Sequence, residues 1–310
     1  MKIREKELQR FGVQHSGQMV LRLRRSLYGL KQAKLLWGQL LHSKLLRASF
    51  IQCVTDSWLY YKGYKGGKNV VGVYVDDLLA TGTSHGRVNE IFVISASLEI
   101  KDMGVVIKFL GMRITHSPAT IYEIDESAMI DDLLSKFGLQ DAHSVTPPIG
   151  LDHEKDTREV DPLLPIENVF GEASLKDFQS RCTRSDIAYA VHRASRRAHA
   201  PTTSDLQLSK RIARYSKGTK DVKVQLIPRN AQHNNTVQLT SASDAEFAGD
   251  KVSRKSVSGA IFRWEGMIVG WTCSKQASVS LSTREAEFTS ASLAGQELLG
   301  LRELLTELTF

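Results

Sequence analysis

Cysteine is scarce in this sequence: Cys53, Cys182 and Cys273 lie far apart. They form no Cys-x-x-Cys pair, no zinc spacing and no even-numbered disulfide framework, so a reducing, intracellular compartment is the default expectation. No run of about 18 apolar residues occurs, so no transmembrane helix is predicted and no membrane partner is expected. The opening MKIREKELQRFG is charged and lacks an apolar core, so it does not read as a secretory signal. Acidic residues are missing from Leu8 to Thr55, where Arg10, Arg22, Arg24, Arg25, Lys31, Lys34, Lys44 and Arg47 all occur. A second cationic stretch holds Arg193, Arg196, Arg197, Lys210, Arg211, Arg214, Lys217 and Lys220. A solvated helical face usually mixes lysine with glutamate. Unmixed stretches, in a chain of net charge +7, favour a polyanion, with nucleic acid the first candidate.

An apolar share of 42% and a charged share of 24% are those of a globular protein, long enough at 310 residues for two domains or one large one. Residues 1–20 show no period. Leu35, Leu36, Leu40, Leu41 and Leu45 recur near helical spacing and predict a helix within 21–50. Residues 56–61 and 69–82 read as strands joined by the loop KGYKGGKN, and 87–100 as a helix. VVIKFLGMRIT reads as one apolar strand with a short return strand IYEI. Met129, Ile130, Leu133, Leu134 and Phe137 predict an amphipathic helix stopped by Gly138. Residues 141–175 read as a loose connection. Residues 183–217 are helical with a break at Pro201. Strands follow at VQLTSASD, SGAIFRW and MIVGWTC, the last two joined by the turn Glu265–Gly266. A long helix is predicted over 283–308.

One decapeptide stands out. In VYVDDLLATG, residues 73–82, two aspartates interrupt an apolar, β-branched run. Burying both without partners is costly. Aspartate favours turns, which is one reading. A site for a hard divalent cation, held by carboxylate oxygens, is the other.

Taken with other segments, this stretch resembles the reverse transcriptase of copia-type long-terminal-repeat retrotransposons. The carrying residues are SLYGLKQA (26–33) with Trp37, YVDD (74–77), FLGMRI (109–114), TRSDIAYAV (183–191), KGT (217–219), SDAEFAGD (243–250), RKSVSG (254–259) and LSTREAEF (281–288). They stand in family order over roughly 20–310, and context of that kind gives a motif its weight. The resemblance implies an α+β chain with a partial reverse transcriptase palm and thumb-like region, followed by the N-terminal half of a ribonuclease H-like domain. The divisions it suggests are a leader at 1–20, palm and thumb at 21–140, a connection at 141–235 and ribonuclease H at 236–310.

By that resemblance Asp76 and Asp77 sit at a hairpin tip and hold Mg2+, with Mn2+ as a substitute and Asp76 the principal ligand. Paired metals suit in-line phosphoryl transfer because they clamp both the attacking and the leaving oxygen. Regular strand alternation would put Tyr74 and Asp76 on one face and Val75 and Asp77 on the other. Gly29, Lys31 and Gln32 would lie beside the incoming deoxynucleotide, and a plain helix start is the other reading of them. Phe109, Leu110 and Gly111 resemble the hairpin that grips the primer. Asp244 and Glu287 match the strand and helix carboxylates of ribonuclease H. Glu285, two residues from Glu287, faces away on a helix. Arg254 and Lys255 read equally as phosphate contacts or as a solvated turn. The implied partners are an RNA template, a DNA primer and an RNA–DNA hybrid, in a cytoplasmic particle or the nucleus.

The sequence also departs from the family. Residues 1–20 contain no aspartate to serve as the upstream palm carboxylate. The third ribonuclease H carboxylate, expected on a strand beyond the long helix, is absent, which would leave the strand at Val237–Ser243 with an unpaired edge. An apolar segment is missing near 178–187, and Lys34 and Ser185 stand where the family has proline. The chain is therefore expected to hold incomplete catalytic sets. A non-catalytic nucleic-acid-binding remnant and a decayed reading frame are the alternatives.

Overall fold

The structure, a computed structural model, describes residues 32–95, 100–117, 122–150, 162–163, 184–196, 200–227 and 237–309. The chain divides into two compact units, Met1–Asp102 and Met103–Phe310. Gly29 and Lys31, residues 178–183 of the stretch where an apolar segment is missing, and much of the predicted connection lie outside the described residues.

In the first unit, α1 (Ala33–Arg47) precedes β1 (Ile51–Gln52), β2 (Leu59–Tyr64), β3 (Gly67–Tyr74), β4 (Asp77–Gly82) and α2 (His85–Ser95). The strands form an antiparallel sheet in the order β1-β2-β3-β4. Alternation along β3 buries Asn69, Val71 and Val73. Val71 and Val73 join Leu41 and Leu45 of α1, with Phe50, Tyr60 and Ile91, in one core. Leu41 and Leu45 are one turn apart, and Trp37, one turn earlier, packs against the same core. Leu35, Leu36 and Leu40, expected in the helix's apolar set, are exposed.

The long loop predicted at KGYKGGKN is replaced by strand. β2 runs to Tyr64 and β3 begins at Gly67, leaving only Lys65 and Gly66 in the turn. Gly66 takes φ 90°, which closes it. A Cβ on Gly67 would stand 1.8 Å from Thr83 Oγ1, so glycine there serves strand packing rather than loop freedom.

The second unit contains a sheet of β5 (Lys108–Phe109), β6 (Met112–His116), β7 (Tyr122–Asp125) and β8 (Val224–Leu226), in chain order and antiparallel. The single strand predicted over 105–115 is folded into a hairpin. Leu110 and Gly111 turn it with φ 51° and 88°, and Gly111 leaves room for Met129, whose Sδ would stand 2.8 Å from an added Cβ. Helices α3 (Ser127–Lys136), α4 (Ala188–Ser195) and α5 (Thr203–Gly218) share a core. Ile130, Leu134 and Phe137 meet Ile187, Ala190, Val191 and Ala194, and Leu208, Ile212 and Ala213. As predicted, the helical stretch breaks at Pro201. Thr202 then restarts it through a reciprocal cap with Asp205.

Two of the family-like segments, TRSDI and KGT, meet in this unit. Arg184, 3% exposed, donates to both carboxylate oxygens of Asp186 and to the carbonyl and hydroxyl oxygens of Thr219. Tyr215 donates to the same carboxylate. Burial raises the carboxyl's pKa, but the Arg184 and Tyr215 hydrogen bonds outweigh it and hold Asp186 below its ordinary range.

The second cationic stretch is largely committed inside the protein. Arg211 donates to the Pro147 carbonyl (3.2 Å), Arg214 to His143 (2.7 Å), and Lys217 to Gln140 and Ala142. Lys220 pairs with Asp131. Arg211, Arg214 and Lys217 thereby satisfy the carbonyls of Gln140, Ala142, His143 and Pro147, which carry no ladder of their own. Their unmixed charge is thus explained in part without a polyanion.

The remaining strands are β9 (Leu239–Glu246), β10 (Val257–Trp264) and β11 (Met267–Lys275), antiparallel in the order β11-β10-β9, and α6 (Thr283–Thr309) packs across them. The turn Glu265–Gly266 has φ 53° and 83°, the left-handed pair a tight hairpin demands. Ala286, Ser290 and Ala294, four residues apart, are the buried stripe of α6. Their small side chains let the helix approach closely enough for Ser290 to donate to the Asp244 carbonyl at 2.7 Å. Among the described residues no strand pairs with the outer edge of β9, and no helix is long and apolar enough to cross a membrane.

Candidate metal-binding carboxylates

The acidic pair lies where β3 turns into β4. Tyr74 pairs with Asp77, so Val75 and Asp76 alone form the turn. Directly opposed residues point to the same face of a sheet. Asp77 therefore shares the face of Tyr74, and the alternation expected from an unbroken strand does not apply because the chain reverses between them. Both readings of the decapeptide meet here: Asp76 is a turn residue, and it is also an exposed carboxylate on an antiparallel hairpin.

The turn is unusual at Val75. Its φ is 56°, while Asp76 is not left-handed. A two-residue hairpin with a left-handed first position normally takes glycine there. A β-branched residue in that conformation stores on the order of 1–3 kcal/mol. A long-range contact accompanies the strain: the Trp37 indole N–H of α1 donates to the Val75 carbonyl at 3.2 Å.

Among the described residues neither the Asp76 nor the Asp77 side chain enters a hydrogen bond or ion pair. Two free, adjacent carboxylates are hard oxygen donors, and Mg2+ is characteristically held by one or two such groups together with waters and substrate phosphates. The donor set fits that role. The described residues contain no group of three or more His, Cys, Asp or Glu that could hold a metal. Asp56, the one aspartate between Leu8 and the hairpin, accepts from the Trp58 N–H within its own turn. Gln32 precedes α1 as its exposed N-cap, without a capping side-chain bond.

The second pair of carboxylates is set by α6 and β9. Glu287 Oε1 accepts from the Ala245 backbone N–H at 3.2 Å, which brings it to the peptide just after Asp244. Ser258, opposite Ala245, is bonded to Gln276, which also donates to the Ala286 carbonyl of α6. Ala245 therefore faces α6, and alternation sends the Asp244 side chain to the other face. Glu287 thus lies on the α6 side of β9, while the Asp244 side chain is directed to the other face. Glu285 has a structural task instead. It accepts from the Leu281 N–H while Ser282 accepts from the Glu285 N–H, capping α6. Lys255 donates to the Ala277 carbonyl.

Two features were not visible to sequence reasoning. The Trp37–Val75 bond spans 38 residues, and the Arg184 lock spans 35. No periodicity reports such pairs, although Trp37 and Arg184 both lie in segments that carried the resemblance. A third feature is His192 of α4. Burial, with Arg196 and Lys275 nearby, pushes its pKa down to about 4. Lys275 is itself paired with Asp250 at 3.0 Å, and Asp250 also accepts from the Val252 and Ser253 N–H groups.

Over most of its length the chain is similar to known proteins. The family described as "Reverse transcriptase (RNA-dependent DNA polymerase)" matches residues 6–150. The retrovirus-related Pol polyprotein from transposon RE1 of Arabidopsis thaliana is 34% identical over 93% of this chain and 19% of its own length. The Pol polyprotein from transposon TNT 1-94 of Nicotiana tabacum is 29% identical over 96% of this chain and 23% of its own. An uncharacterized mitochondrial protein of Arabidopsis thaliana is 30% identical over 73% of this chain and 91% of its own. The chain thus spans about a fifth of the length of the polyproteins it matches. No solved structure matches it. The chain belongs to the copia-type retrotransposon Pol polyproteins, and residues 6–150 carry their reverse transcriptase region.

Proposed function

We propose that this chain is a segment of an RNA-directed DNA polymerase in which Asp76, assisted by Asp77, holds divalent metal beside the primer terminus and the incoming deoxynucleotide. The observation that carries this reading is the pair of unengaged carboxylates on a tethered hairpin turn. When bound, Mg2+ would neutralise charge on the reacting phosphate and activate the attacking hydroxyl. The protein's part is placement: β3 and β4 make the hairpin rigid, and the turn presents both acids to solvent, where template and primer have access. Gly29, Lys31 and Gln32 are assigned to the nucleotide side. Asp244 and Glu287 are assigned to a ribonuclease H-like centre acting on an RNA–DNA hybrid, with β9, β10, β11 and α6 as the supporting half-domain.

Among the described residues no group of three or more metal-ligating side chains comes together, so polymerisation is read as drawing on a further carboxylate beside Asp76 and Asp77. The chain by itself is expected to extend a primer no further than an Asp76→Ala control. Replacing the matching stretch of the RE1 polyprotein with residues 6–150 supplies the rest. That chimera is expected to extend a DNA primer on an RNA template in Mg2+, and Asp76→Asn is expected to reduce the rate by orders of magnitude. A folded chimera whose extension is indifferent to Asp76→Asn refutes the assignment.

A further inference from the structure

We propose that Trp37 is the positioning residue of the acidic turn: its indole N–H holds the left-handed Val75 peptide and thereby aims Asp76. This rests on the reading of Asp76 and Asp77 as metal-binding carboxylates. The bonded carbonyl belongs to the peptide unit linking Val75 to Asp76. Peptide units are planar. Holding that oxygen therefore orients the shared peptide plane, and with it the amide nitrogen and Cα from which the Asp76 side chain leaves the turn. Val75 needs such a tether, because a β-branched residue at φ 56° has lower-energy conformations available. The anchor is sound at the other end. Leu41 and Leu45, one and two turns beyond Trp37, are 2% and 1% exposed in the core beneath β3. The indole N–H is the only donor of its side chain, so phenylalanine removes the bond while keeping a ring against the core.

Mn2+ binding by the full chain, followed by electron paramagnetic resonance, separates positioning from packing. Trp37→Phe is expected to weaken binding at the turn roughly tenfold, the size of one lost hydrogen bond. Val75→Gly in the same chain is expected to restore affinity to within about twofold, since glycine takes the left-handed conformation unaided. A Trp37→Phe protein that binds Mn2+ like the parent overturns the proposal. So does a double variant that stays weak, because the ring would then be acting through packing. An Asp76→Asn, Asp77→Asn protein reports on the underlying reading: if it loses no Mn2+ relative to the parent, the metal site itself is refuted and the positioning role falls with it.

Discussion

At the scale of single residues, the turn at 75–76 joins strain and charge. Valine at a left-handed position is a local fault that the hairpin and Trp37 hold in place. Val75→Gly is expected to stabilise the first unit by about 1 kcal/mol, the strain relieved less the added chain entropy of glycine. A shift of the thermal transition to higher temperature checks this, and no shift or a downward one contradicts it. The aspartate pair was legible in the sequence because two adjacent charges within an apolar run demand an explanation. That Glu285 and Glu287 point apart was legible from helical spacing, and Glu285 has a capping task of its own. The Trp37 tether was not legible, since a bond to a backbone carbonyl leaves no mark on residue type at the acceptor.

At the scale of elements, helix α4 and its 3-10 lead-in (Ser185–Ile187) join buried charges to the rest of the unit. Arg184→Ala leaves the Asp186 carboxylate and the Thr219 carbonyl without their guanidinium partner, and is expected to cost about 3 kcal/mol; a denaturant midpoint close to the parent's refutes the lock. His192 makes the unit sensitive to pH. Its folded pKa, about 4, lies below the ordinary histidine value, so the unfolded chain binds more protons between the two. Stability contributed by neutral His192 is full above about pH 6.5, declines as pH falls, and is gone below about pH 4. His192→Gln is expected to flatten that slope in melts taken from pH 7 to 4; an unchanged slope assigns it elsewhere. Periodicity placed most helices and strands here, including the break at Pro201 and the long final helix. It made the loop at Lys65–Gly66 too long and ran one strand through Leu110–Gly111, where only the resemblance pointed to a hairpin, because a glycine signals a loop and a tight turn equally. It also missed β8, three residues long, whose pairing with β7 is defined only by contact across 100 residues of chain.

At the scale of the molecule, net charge alone was a coarse guide to partners. The second cationic stretch is tied to the carbonyls of 140–147, so the electrostatic case for nucleic acid from that helix is weaker than composition implies. Family membership and the hairpin tip carry the functional reading instead. Its central claim is that Asp76 and Asp77 present free oxygens to a divalent cation. Crystals of the full chain soaked in Mn2+ and measured at the manganese absorption edge test this most directly. An anomalous peak is expected within coordination distance of the Asp76 carboxylate, absent from Asp76→Asn crystals. A hairpin tip without such a peak, in crystals where manganese is ordered elsewhere on the chain, would contradict it.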